Sequence, residues 1–335
     1  MRIGEWIVGI DVGGMFTDII AVNQVTNQRR VAKLPSTPDP PAAAMLAEIA
    51  QICGDIGIEA TDVARLTHGT TVATNALIQH RGAKLALITT AGFRDVLEIG
   101  RQVRPHMFDL HRGRPRSCRA NGASKCASAT ADGSVHESLS DGEIPRVVAE
   151  VTASGAQACA VCLLFSFRQP EHERHLRDAL HAALPDLHVS ISSEVHPEFR
   201  EFERFSTTVI NAFVQPVMAA YLGELAKPWP RCPRRCLGIN QSSGGLMSVN
   251  RAVALPVCTA LSGPAAGIVG AVRSMRASGD GNFITLDMGG TSADICLIRD
   301  FESEATGNRR SRRLSGSPSR ARYQRRRRLD RLAGS

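Results

Sequence analysis

A chain of 335 residues, 43% hydrophobic and 21% charged, has the composition of a globular protein and the length for two domains or one large α/β unit, which excludes a fibrous, collagen-like or wholly disordered polypeptide. The net charge of +8 is concentrated in two short segments: residues 309–335 hold eleven Arg against Asp330, and residues 112–130 hold four Arg and Lys125 with no acid. These supply +10 and +5 and leave −7 on everything else, so the body is mildly acidic and the high charge does not describe a folded polyanion-binding face.

In chain order, Ile7 to Asp11 is a short apolar run ending at a Gly pair, and Phe16 to Val22 resumes it, which predicts an N-terminal β-hairpin. Residues 45–56 carry apolar side chains at helical spacing. Residues 67–76 read as a turn through His68, Gly69, Thr70 and Thr71 that leads into a helix, with Thr70 or Thr71 as its N-cap. Residues 85–89 and 158–167 predict buried strands, 171–183 an amphipathic helix and 189–193 the next strand. Residues 205–225 predict a long helix interrupted at Pro216, and residues 283–286 a strand running into DMGGTSAD. Strands alternating with helices predict an α/β layered fold.

One pattern occurs twice. Asp11-Val-Gly-Gly-Met-Phe-Thr-Asp18 and Asp287-Met-Gly-Gly-Thr-Ser-Ala-Asp294 each follow an apolar strand and precede another. A Gly pair at a hairpin turn lets backbone N–H groups approach phosphate oxygens, a following hydroxyl adds a donor, and the leading Asp can orient a hydrated Mg²⁺. Two such hairpins facing each other would grip a nucleotide from both sides. D-x-G-G is also a favourable turn in its own right, and Asp18 and Asp294 serve equally well as turn caps.

Other sequence signals point to structure. Cys159 and Cys162 form C-x-x-C inside an apolar strand, which fits buried thiols better than a redox or zinc pair. The nine cysteines form no disulfide framework, and the ten histidines show no ligand spacing. A G-x-S-x-G elbow is lacking, which disfavours a Ser-His-Asp hydrolase. Glu194, Glu198, Arg200, Glu201, Glu203 and Arg204 crowd around Pro197, either as a solvated ion-paired helix face or as the lining of a cleft. Residues 262–267, SGPAAG, open a helix whose first amides could face an anion. The start of the chain lacks a signal-peptide pattern and no apolar run reaches membrane-spanning length, so a cytoplasmic location is expected and a membrane partner is not.

The chain resembles the hydantoinase/oxoprolinase family, which comprises hydantoinase A, ATP-dependent 5-oxoprolinase and the acetone carboxylase β subunit. The resemblance rests on GIDVGGMFTD, THGTTVATNALIQHRGAKLALITTAGFRDVLEIGRQ, SSEVHPEFREFERFSTTVINAFVQPV, QSSGGLMS with LSGPAAGIVGA, and DMGGTSADICLI, and covers most of residues 5–300. It implies an actin/sugar-kinase/heat-shock-ATPase-like (ribonuclease H-like) layered fold, incomplete at the C-terminus. The implied organisation is an N-terminal domain over 1–195 with 112–130 atypical, the start of a core domain over 196–300, and a basic disordered tail over 301–335. ATP and Mg²⁺ are the implied cofactors. Asp11, Gly13, Gly14, Thr17, Asp18, Gly289, Gly290, Thr291 and Asp294 would bind the nucleotide, Asp11 and Asp287 the metal, and Thr70, Thr71 and Asn75 the substrate. The implied reaction is ATP-dependent hydrolytic opening of a cyclic amide such as a hydantoin or 5-oxoproline, with a hydantoinase B-type subunit as partner. A ketone carboxylase β subunit is the enzymatic alternative, and a non-catalytic remnant or nucleotide-binding module the other.

Two departures bear on activity. Met15 stands where the family carries Thr, which removes one hydroxyl donor from the first hairpin. The resemblance also stops near Arg299, where the arginine-rich tail follows. We read this tail as translated out of frame. GC-rich codons for residues 313–335, read from the second nucleotide, can yield GYPAPRRALDINAGGGSIAWLG, which is family-like. Residues 114–129 shifted by two nucleotides can give PEVLSGERRFEVRER, after which ADGSV resumes in register. A genuine basic arm for nucleic acid or a membrane surface is the alternative, and nucleic acid is not the expected partner.

Overall fold

The computed structural model describes residues 5–12, 16–35, 51, 53–59, 62–101, 123–126, 128–130, 132–140, 142–226, 237–288, 292–303, 310–311, 314–315 and 324–327. The chain forms two compact units, neither of them a continuous stretch: Met1–Gln79 with Val217–Gly307 and Ser319–Ser335, and His80–Pro216 with Asn308–Pro318.

The first unit begins with an antiparallel meander of β1 (Trp6–Val12), β2 (Phe16–Asn23) and β3 (Arg29–Pro35). This is the predicted hairpin extended by one strand. β4 (Val63–Gly69) pairs parallel to β1, and α1 (Val72–Gln79) follows. Trp6, Val8 and Ile10 alternate into the core, as period-2 side chains must when one face of a sheet is covered. Of the helix predicted over 45–56, residues 51 and 53–55 are helical, and 45–50 and 52 lie outside the described residues.

The second unit is a four-stranded parallel sheet of β5 (Leu85–Thr90), β6 (Ala123–Cys126), β7 (Ala158–Cys162) and β8 (His188–Ile191), in the order β8-β7-β5-β6. α2 (Glu143–Ser154) and α3 (Glu171–Ala183) cover one face, and the first half of α4 (Glu201–Leu225) covers the other. Every residue of β5 and β7 is therefore buried, which is why these strands read as unbroken apolar runs. Cys159 and Cys162 are free thiols in this interior, and burial pushes Cys159 up to about 12.

Four sequence expectations are corrected here. The strand predicted over 158–167 ends at Cys162 because side chains capture the next three amides: Glu173 Oε1 takes Leu163 N–H (2.8 Å), Thr90 Oγ1 takes Leu164 N–H (3.1 Å) and Glu201 Oε1 takes Phe165 N–H (3.3 Å). The strand predicted over 189–193 ends at Ile191 and gives way to a helical turn, Ser192–Val195. The long helix is not interrupted at Pro216. It runs through Glu201–Leu225, flanked by buried Val214 and Met218; Pro216, which has no N–H, takes the helical donor away from Ala212 C=O, and next to it Phe213 C=O accepts from Ala83 N–H (2.9 Å). Arg204, grouped with the surface charges, is fully buried; it donates to Ser192 Oγ, to the carbonyls of Leu163 and Glu198, and to Glu201.

The chain then returns to the first unit. β9 (Leu237–Asn240) lies parallel beside β4, and β10 (Leu246–Ser248) closes a hairpin with it, giving the order β10-β9-β4-β1-β2-β3. α5 (Val249–Ala254) and α6 (Ser262–Met275) lead to a second antiparallel sheet of β11 (Phe283–Met288), β12 (Ser292–Arg299) and β13 (Glu302–Ser303). Within the basic tail, β14 (Gln324–Arg327) runs antiparallel to Ser292–Ile295 of β12.

Candidate functional site

The two glycine-rich hairpins share a register. In the first, Asp11 lies directly opposite Asp18 across the β1–β2 ladder; in the second, Asp287 lies directly opposite Asp294 across β11–β12. Third strands also correspond: Lys33 of β3 is opposite Asp18, and Arg325 of β14 is opposite Asp294. Like charges facing each other across a ladder destabilise it. The two hairpins thus place an Asp pair at the same register position. Gly13, Gly14, Met15, Gly289, Gly290 and Thr291 lie outside the described residues.

Asp11 is the centre of the arrangement. Its carboxyl is held above the ordinary carboxylate range, first by the surrounding protein and then by the negative charges of Asp18 and Asp287. The ends of β4 and β9 and the start of α6 lie on one side of it. A Cβ added at Gly69, the last residue of β4, would fall 2.6 Å from Asp11 Oδ1 and 3.3 Å from Asn240 Nδ2; one added at Gly263, at the start of α6, would fall 3.2 Å from Asp11 Oδ1. Glycine at both positions therefore leaves the carboxylate its space. The sequence reading placed neither glycine nor Asn240 at this site. Its available signal was that HGTT, SGPAAG and INQSSGG each set a small or amide residue at the end of an element.

The predicted substrate residues sit beside this centre with different exposures. Thr71, half-buried, donates its hydroxyl to Val12 C=O (3.2 Å), and Asn75 Nδ2 donates to Thr71 Oγ1 (3.4 Å). The turn after β4 is thereby fastened to the first hairpin. Thr70 is buried; its Oγ1 accepts Val72 N–H (3.2 Å), the capping role expected from sequence, and it also bonds to Tyr221. Leu261 N–H donates to Thr74 Oγ1 (2.9 Å), which ties α6 to α1 around Asp11. Thr17 is buried under the hairpin, and Asp18 is exposed and paired with Lys33 (3.0 Å).

His68 was expected in a turn and instead lies on the central strand β4, fully buried. Its Nε2 meets Tyr221 Oη at 2.7 Å, while Nδ1 has no partner among the described residues. Burial pulls the imidazole down to about 4 and pushes the phenol up to about 12, so both stay neutral near pH 7. Among the described residues no three His, Cys, Asp or Glu side chains stand close enough to hold a metal ion by themselves. Asp11 and Asp287, whose charges act on each other, nevertheless have the chemistry for a magnesium ion held through water and phosphate oxygens, which needs only one or two carboxylates from the protein.

Two antiparallel Asp-x-Gly-Gly hairpins, the first with parallel β4 on one side and antiparallel β3 on the other, fit an actin-like α/β fold. Known proteins agree. The chain superposes on acetone carboxylase in its nucleotide-free structure with a TM-score of 0.83 at 23% identity, covering 96% of this chain and 48% of that one. It superposes on the ATP-dependent caprolactamase of Pseudomonas jessenii with a TM-score of 0.77 at 31% identity, covering 95% and 47%.

Residues 7–184 match the model of the hydantoinase/oxoprolinase N-terminal region and residues 204–323 that of hydantoinase/oxoprolinase, and the chain belongs to this family. It is 35% identical over 312 residues to the α subunit of the Pseudomonas jessenii caprolactamase, covering 88% of this chain and 44% of the relative. To the 5-oxoprolinase of Saccharomyces cerevisiae it is 30% identical over 346 residues, covering 91% and 26%. The chain thus spans less than half the length of the curated relatives it matches.

Proposed function

We propose that this chain binds Mg·ATP through its two Asp-x-Gly-Gly hairpins and uses it in the hydrolytic opening of a cyclic amide. The observation that carries the reading is the matched register, Asp11 against Asp18 and Asp287 against Asp294, with the charges of Asp18 and Asp287 bearing on Asp11. The 35% identity to a caprolactamase subunit supports a lactam-type substrate, and the family's relatives support ATP. A B-type partner subunit and a cytoplasmic location belong to the same proposal.

Bound ATP would supply a phosphoryl group to the amide oxygen with release of ADP, and water adding to that carbon would then release phosphate and break the ring C–N bond, giving the open-chain amino acid. The chain's own residues would do the rest. Asp11 and Asp287 would hold Mg²⁺ through water, and the amides of Gly13, Gly14, Gly289 and Gly290, with the hydroxyls of Thr17 and Thr291, would bind phosphate oxygens. Asp18 and Asp294 would set the charge of the two ladders. Thr71 and Asn75, fastened to Val12, would face the substrate; buried Thr70 would act by fixing the start of α1. Loss of a hydroxyl at Met15 weakens the first hairpin, so Met15→Thr should tighten nucleotide binding.

Phosphate release from ATP in the presence of hydantoin, 5-oxoproline or caprolactam, with and without a B-type subunit, tests the reading. Stimulation by a cyclic amide that disappears in Asp11→Asn is the expected result. Stimulation only by a ketone with bicarbonate would make the protein a carboxylase component. Nucleotide binding without any release would reduce it to a non-catalytic nucleotide-binding module.

A further inference from the structure

Three parallel strands end side by side in the first unit. Ile10, His68 and Ile239 form one row across β1, β4 and β9, and all three are buried. The next residues on these strands are Asp11, Gly69 and Asn240, with Asp11 opposite Gly69 in register. Successive side chains of a strand point to opposite faces, so this second row turns away from the core. Glycine in its middle makes the row a notch, with a carboxylate on one wall, a carboxamide on the other and backbone between. A Cβ at Gly69 would close it, meeting Asp11 Oδ1 at 2.6 Å and Asn240 Nδ2 at 3.3 Å. Both walls keep solvent-accessible surface.

The turn from β9 to β10 is held without any help from the Asn240 side chain. Gln241 Nε2 donates to Leu246 C=O (3.0 Å), Gln241 N–H to Gly245 C=O (3.0 Å) and Ser242 N–H to Cys258 C=O (2.7 Å). Gly244 and Gly245, at φ of 85° and 80°, complete the bend in a region that side chains disfavour. Among the described residues the Asn240 carboxamide has no hydrogen-bond partner. Asn is disfavoured in strands, and neither packing nor turn formation accounts for this one. It stands on a fixed strand end, beside Asp11, with a donor and an acceptor to offer.

We propose that Asn240 selects the cyclic amide, by pairing through two hydrogen bonds with the edge that only a ring-held amide presents. This rests on the cyclic-amide reading of the site. A small ring forces its amide to be cis, so N–H and C=O lie on the same side; an open-chain secondary amide is trans and points them apart. A primary carboxamide complements the cis edge: Nδ2–H donates to the ring C=O, and Oδ1 accepts from the ring N–H. The carbonyl oxygen keeps a second lone pair for the phosphoryl group. As that oxygen is phosphorylated the N–H grows more acidic, so its bond to Oδ1 strengthens during the reaction. The notch sets the substrate oxygen on the side of Asp11, where the nucleotide is assigned.

The test measures binding to the full chain, by saturation-transfer NMR and calorimetry with and without Mg·ATP. The probes are caprolactam, N-methylcaprolactam, which lacks the N–H, and the trans amide N-methylacetamide. Caprolactam should bind at least about tenfold tighter than either control, because a site built for an N–H rejects the analogue without it. Asn240→Ala should bring caprolactam down to the level of the controls while Mg·ATP affinity stays within about twofold. Asn240→Leu, which keeps the shape and removes both polar atoms, should do the same and decides the matter if the alanine variant fails to fold. Equal binding of the three amides by the unaltered chain, or a caprolactam preference that survives in Asn240→Leu, overturns the proposal. So does loss of Mg·ATP binding in both variants, which would make Asn240 a nucleotide residue, and so does failure of caprolactam, hydantoin and 5-oxoproline all to bind. Selective binding without amide-stimulated phosphate release would uphold this role for Asn240 and contradict the hydrolytic reading; Mg·ATP binding without selectivity would do the reverse for the nucleotide half of that reading.

Discussion

At the scale of single residues, the site is defined as much by what is missing around Asp11 as by what is present. A methyl group at Gly69 would have to occupy the space of the carboxylate. We therefore expect Gly69→Ala to weaken Mg·ATP binding by at least about tenfold, a loss of about 1.4 kcal/mol, with a smaller effect for Gly263→Ala; titration calorimetry of both variants checks this order. His68 makes a prediction of a different kind. Its folded-state value of about 4 lies below the ordinary 6.5, so the unfolded chain binds more protons between those limits. Stability should be fully present above pH 6.5 and fall as pH drops toward 4, by on the order of 3 kcal/mol from this residue. Urea midpoints measured across that range should slope downward toward acid, and His68→Phe should flatten the slope. An unchanged slope would show that the histidine is not held neutral.

At the scale of elements, the second unit is organised around Glu173, which is fully buried on α3 and accepts from Leu163 N–H, Ser193 N–H and the Ser192 hydroxyl. Removing it strands those donors, while Arg204 keeps its pair with Glu201. Glu173→Ala should cost about 3 kcal/mol, read from urea unfolding. This node also explains what the sequence could and could not reveal about elements. The β1–β2 hairpin, β5, α3 and β11 were legible because period-2 and 3.6-residue patterns report burial directly. The end of β7 was not, because Leu163 and Leu164 are as apolar as the strand before them, and the strand stops through side chains 10 and 74 residues away. Pro216 reads as a break, yet α4 continues because packed apolar side chains hold it on both sides. His68 looked like a turn residue because HGTT is polar, although tertiary pairing on both sides of β4 makes it interior. At the site, the repeated D-x-G-G pattern disclosed Asp11 and Asp287. The surroundings of Asp11 come from Gly69, Asn240 and Gly263, far apart in sequence, which only the fold assembles.

At the scale of the whole molecule, the chain belongs to a family whose matched members are about twice its length or longer, and within it one sheet is finished while its repeat is open on one face. The finished sheet carries Asp11, the open one carries Asp287, and both contribute charge to one place. The central claim is that this place binds Mg·ATP. Its most direct test is calorimetric titration of Mg·ATP into the intact chain, Asp11→Asn and Asp287→Asn. The account predicts saturable heat for the intact chain and its loss in each variant, even though Asp11→Asn relieves like-charge repulsion and should itself raise thermal stability. Equal affinity in all three proteins, or no heat in any, would contradict it.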